Sequence, residues 1–80
     1  MAEETELIDI CKSHITNEFF LVKTLLEPVQ TERGDSFETK VWRCNEDGEP
    51  IEEDPMDFDY TYYPNGVRRM HKKMCVYYNR

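Results

Sequence analysis

The sequence predicts an α+β fold in which an N-terminal amphipathic helix packs on a four-stranded antiparallel meander. Three observations point there: an apolar stripe at helical spacing before residue 18, alternating or β-branched runs from residue 19 onward, and turn signals between those runs. At 80 residues the chain reads as a single small acidic domain, 1–80, since a second core could not be enclosed with so little material.

The stretch Glu3 to Asn17 places Leu7, Ile8, Cys11 and Ile15 on one helical face. Glu3, Glu4 and Glu6 fall in its first turn, where the helix dipole favours acids. Asn17 suits the stop, because Asn tolerates the left-handed conformation that often closes a helix. From Phe19 to Leu26 a dense apolar and β-branched run reads as a strand, ended by Pro28, which cannot donate to a ladder. Thr31 to Ser36, with Gly34 and Asp35, then supplies a hairpin connection, and Phe37 to Cys44 alternates as its antiparallel partner.

Residues 45–57 combine glycine, two prolines and dense negative charge, which favours an exposed, solvated loop. This loop and the first residues are the expected mobile parts. Asp57 to Tyr63 alternates again, with Phe58, Tyr60 and Tyr62 on one side, and Asn65-Gly66 follows as a hairpin signal. Val67 to Tyr78 fits both periods: Val67, Met70, Met74 and Tyr77 suit a helix, while Met70, Lys72, Met74, Val76 and Tyr78 suit a strand. Strand is the expectation, because Arg68 and Arg69 at a helix start would oppose the dipole and the Asn-Gly turn asks for a partner strand. One helix followed by an antiparallel sheet resembles the cystatin-like architecture. That family's inhibitory loop motif has no counterpart in these residues, so nothing functional follows from the likeness.

Charge separates the chain into two ends. Residues 1–60 hold all seventeen acids against five bases, while residues 61–80 hold five bases and no acid. The formal charge of −7 disfavours free nucleic acid or an anionic membrane as the partner and favours a basic protein surface. No apolar run reaches the length of a membrane span, and residues 1–17 lack the layout of a signal peptide. Three widely spaced cysteines, Cys11, Cys44 and Cys75, make a poor disulfide framework. The expected location is therefore the cytoplasm, an infected host cell included.

The densest chemical feature is acidic. Glu46, Asp47, Glu49, Glu52, Glu53, Asp54, Asp57 and Asp59 place eight carboxylates in fourteen residues with no base among them. Such a block can imitate nucleic-acid phosphates and enter a basic groove, since counterion release rewards any polyanion there. The plainer reading is a loop that keeps a small protein in solution. The ligand spacing of an EF-hand is missing around Asn45 to Gly48, so calcium is not expected.

Cys11-x2-His14 and His71-x3-Cys75 offer four zinc-type ligands, the basis of a zinc-stabilised alternative. Against it, the strand reading sets His71 and Cys75 about 13 Å apart, too far for one ion. A second alternative is RNA or single-stranded nucleic acid, bound by the tyrosines of residues 60–80 beside Arg68, Arg69, Lys72 and Lys73. No phosphate loop, nucleophile elbow or His-Glu metal motif occurs, so no enzyme and no cofactor are expected.

The expected function is thus that of an inhibitor or adaptor, of the small acidic kind encoded by viruses and mobile elements. It would engage a basic protein partner through the loop acids, with Trp42, Tyr62 and Tyr63 as aromatic anchors. A homodimer, its basic last strand docked on an acidic twin, is the structural alternative.

Overall fold

The computed structural model describes residues 5–79. Its elements are β1 (Glu6–Lys12), β2 (Phe19–Leu25), β3 (Val29–Thr31), β4 (Gly34–Cys44), β5 (Asp57–Tyr62) and α1 (Val67–Tyr78). All five strands join one antiparallel sheet, and the helix follows them. The expected N-terminal helix on a four-stranded meander is therefore corrected at both ends. The first segment is a strand, the last is the helix, and the cystatin-like order of helix then sheet is not that of this chain. Glu3 and Glu4, and the mobility expected of the first residues, lie outside the described residues.

At the N-terminal end, every residue from Glu6 to Lys12 finds a partner in β2, running from Glu6 opposite Leu25 to Lys12 opposite Phe19. A short helix would gain little on its own in water. The β-branched Ile8 and Ile10 lose nothing in a strand. Asn17 does adopt the left-handed conformation, with φ of 60°, but it serves the β1–β2 connection and not a helix end. There the Ser13 hydroxyl accepts from the amides of Ile15 and Thr16 at 3.3 Å each. The Ser13 amide donates to the Glu18 carbonyl at 2.9 Å, closing the turn.

Central in the sheet is β4, since Thr39 pairs with both Thr24 and Asp59, and Ser36 with both Val29 and Tyr62. Hence β2 and β3 share one edge of it and β5 takes the other. Pro28 accounts for the break between β2 and β3: residues 25–28 stand opposite residues 37–38 alone, a bulge where no ladder donor is needed. The turn into β4 is carried by Gly34, at φ of 115°.

At the C-terminal end, residues 63–66 form a turn closed by the Gly66 amide on the Tyr63 carbonyl at 3.1 Å, and α1 starts immediately after. Asn65-Gly66 therefore turns the chain onto the sheet and does not open a hairpin. The helix lacks an acid in its first turn and a side-chain cap, so the dipole objection is real. It costs about 0.3–1 kcal/mol. Burial of the stripe Val67, Met70, His71, Met74, Cys75 and Tyr78 outweighs it, since each large side chain returns up to about 1.5–3 kcal/mol.

With α1 packed on β1 and β2, the sheet has two unlike faces. The helix-side core is Cys11, Val22 and Val41, backed by Phe20, Cys75 and Tyr78, with Val22 wholly buried. Among the described residues no helix is long and apolar enough to cross a membrane.

Candidate functional site

Strand alternation assigns the side chains. The register places Ile10, Leu21 and Trp42 in one row of the face away from the helix, and Ile8, Lys23, Lys40 and Phe58 in the next. Tyr60 and Tyr62 follow Phe58 on the same side of β5. Among the described residues no helix or strand covers this face. Ile8 stays 51% exposed, Phe58 46% and Tyr60 48%, more apolar surface than a lone exposed side chain would explain. Its three lysines are engaged: Lys23 pairs with Glu6 at 3.0 Å, Lys40 with Glu38 at 3.2 Å, and Lys12 lies 5.6 Å from the Phe19 ring centroid. Lys40 also lies 5.7 Å from the Phe58 ring centroid, and Phe58 meets Tyr60 edge to face at 5.2 Å.

One end of the open face is bordered by the acidic loop, which is more ordered than its composition suggests. Asn45 organises it, its side-chain oxygen accepting from the amides of Asp47 and Glu49 at 2.9 and 3.0 Å. The Trp42 indole N–H donates to the Glu53 carbonyl at 3.3 Å, and Arg43 holds Glu52 at 2.9 Å. Gly48, at φ of 83°, seats the loop against Ile10; a Cβ there would collide with the Ile10 side chain. Hydrogen bonds to Asn45, Arg43 and Trp42 thus set the course of the loop against its charge repulsion. Glu46, Asp47, Glu49, Glu52, Glu53 and Asp54 remain exposed on it. Asp57 and Asp59 do not join them: they stand on the helix side of β5, where Asp57 accepts from the Tyr78 hydroxyl at 2.8 Å.

Under the helix lies a chain of polar groups. His71, 3% exposed, places Nδ1 2.7 Å from Thr24 Oγ1 and Nε2 2.7 Å from Asp9 Oδ2. Thr24 Oγ1 is 3.2 Å from Thr39 Oγ1, which is 2.6 Å from the Tyr63 hydroxyl. Among the described residues every buried side-chain nitrogen and oxygen has a partner, so the chain is satisfied. Carboxylate, imidazole and hydroxyl stand here in the order of a hydrolytic triad. Thr24 is wholly buried, however, and no substrate reaches its hydroxyl. Beside the imidazole, Cys75 Sγ is 3.6 Å from Nε2, and Cys75 packs against the core cluster that contains Cys11. Burial pushes the Cys75 thiol well up, the neighbouring Cys11 and Asp9 adding to it, and burial likewise raises Cys11. Both are poor nucleophiles at neutral pH.

The residues proposed from sequence are thus divided. Trp42 and Tyr62 belong to the open face, whereas Tyr63 is buried, its hydroxyl used by Thr39, and it is no surface anchor. Of the four zinc-type ligands, His71 and Cys75 come together, joined by Asp9, while Cys11 belongs to the core against which Cys75 packs and His14 stays exposed in the β1–β2 turn. The helix closes the 13 Å gap that the strand reading imposed, because positions four apart share a helical face. Asp9 was missed. Its signal was the alternation of Leu7, Asp9 and Cys11 against Ile8 and Ile10. Tyr60 and Tyr62 lie on the open face while Arg69, Lys72 and Lys73 lie exposed on α1. No protein family matches the chain, and neither a curated protein nor a solved structure is similar to it.

Proposed function

We propose that the chain is a protein-binding module, an inhibitor or adaptor, whose open sheet face docks on a partner with an apolar centre and a basic rim. The carrying observation is that face itself: Ile8, Phe58, Tyr60 and Tyr62 stand exposed on one side of the sheet, with the acidic loop bordering it. Aromatic anchors surrounded by charge are the usual make-up of an interface. Among the described residues Arg43 alone forms an ion pair with the six loop acids, which leaves an excess of negative charge that selects a basic rim. The Lys- and Arg-lined groove of a nucleic-acid-binding protein has this chemistry. A reducing location such as the cytoplasm fits three cysteines that are all free thiols.

The test is capture from cells of the source with three baits: the chain itself, a loop variant with its six acids changed to amides, and Tyr60→Thr. The reading requires a partner that the first bait retains and both variants lose. As a purified protein it must bind directly, with affinity falling about tenfold or more between low and high salt. A partner held equally by all three baits, or one indifferent to salt, contradicts it. Self-association that salt dissolves would assign the face to a second copy and also contradict it.

A further inference from the structure

We propose that Asp9, His71 and Cys75 form a three-ligand binding site for one divalent transition-metal ion of the zinc type, with a fourth position open to water. The ligands come from two elements whose periods favour convergence. Asp9 on β1 stands on the sheet face under the helix, while His71 and Cys75, four apart on α1, share the helical face above it. Ligand atoms of Asp9, His71 and Cys75 all lie within 4.8 Å of one another.

Distances suit the ion. Tetrahedral zinc, with bonds of about 2.3 Å to sulfur and about 2.0 Å to nitrogen, sets those two atoms about 3.5 Å apart. Cys75 Sγ and His71 Nε2 are 3.6 Å apart. Asp9 Oδ2, now 2.7 Å from Nε2, has to withdraw to about 3.3 Å for the ion to enter. The Asp9 side chain is 53% exposed and has the room to do so. One sulfur, one imidazole and one carboxylate select zinc or cobalt over calcium or magnesium, which prefer oxygen alone.

Outside the ligands the surroundings are also those of a metal site. With an ion on Nε2, the imidazole hydrogen sits on Nδ1 and donates to Thr24 Oγ1 at 2.7 Å, fixing ring and tautomer. Thr24, Thr39 and Tyr63 can reverse the direction of their hydroxyl hydrogens, so Thr24 can accept from the imidazole when Nε2 holds the ion. The ion would join the first strand to the last helix across the core, so its binding would also stabilise the fold.

Cobalt(II) titration of the full chain, its thiols kept reduced by a phosphine, tests the site by absorption. The proposal expects thiolate-to-cobalt charge-transfer and tetrahedral visible bands that saturate at one ion per chain and are bleached by zinc. Cys75→Ser abolishes them, Asp9→Asn lowers affinity by about tenfold or more, and His14→Ala leaves them unchanged. An unmutated chain without bands at saturating cobalt overturns the site. So do bands that survive undiminished in both Cys75→Ser and Asp9→Asn, or bands lost in His14→Ala.

Discussion

The two faces of the sheet are made from the same strands, residue by alternate residue, yet one is closed by a helix and the other is bordered by a loop alone. Under α1, Val22, Val41, Thr24 and Thr39 are almost wholly buried, and a chain of hydrogen bonds links Asp9 to Tyr63 through His71. Opposite, Ile8, Phe58 and Tyr60 remain about half exposed. The covered face thus carries stability, including a polar centre that tolerates no missing partner. The open face keeps apolar surface that folding does not use, and such surface is the raw material of an interface.

The largest expected effect lies under the helix. His71→Leu leaves Asp9 without its partner and Thr24 with only Thr39, and should lower unfolding free energy by about 2–3 kcal/mol in urea titration. An effect near zero would show that the polar chain is dispensable. Next comes the boundary between the faces. Gly48→Ala collides with Ile10 and demands a positive φ, so a loss of about 1–2 kcal/mol is expected. Because the loop holds the Trp42 indole, its fluorescence should also shift to the red.

A smaller, pH-dependent effect marks the helix end. Burial first, then the hydrogen bond to Asp57 and its charge, raise the Tyr78 phenol above its ordinary value of 10.0. The folded state therefore holds a proton that the unfolded chain releases, so this contribution is full below pH about 10 and is lost as pH rises further. Thermal melts should fall above that pH, and fall less steeply in Asp57→Asn.

Much of the middle of the chain was legible in its residues. The runs Phe19 to Leu26 and Phe37 to Cys44, the interruption at Pro28 and the alternation from Asp57 all became strands or breaks as read. The ends were exchanged, for one reason at each. Leu7, Ile8, Cys11 and Ile15 satisfy a helical period, but pairing with β2, a contact no local pattern displays, decides the first segment. For the last, a dipole cost of about 1 kcal/mol was given more weight than the buried stripe from Val67 to Tyr78. Those exchanges also hid the sites. Asp9 reaches His71 only from a strand, His71 joins Cys75 only on a helix, and the open face exists only because the helix lies on the other side. The exposed loop acids were legible throughout, since Gly48, Pro50 and Pro55 with dense charge leave few packed alternatives.

Paired urea titrations of Val22→Ala and Tyr60→Thr test most directly the division between a face that holds the fold and a face free to bind. A loss of about 2 kcal/mol is predicted for Val22→Ala and no more than about 0.5 kcal/mol for Tyr60→Thr. Equal losses in the two variants would contradict the account, since the open face would then be part of the core.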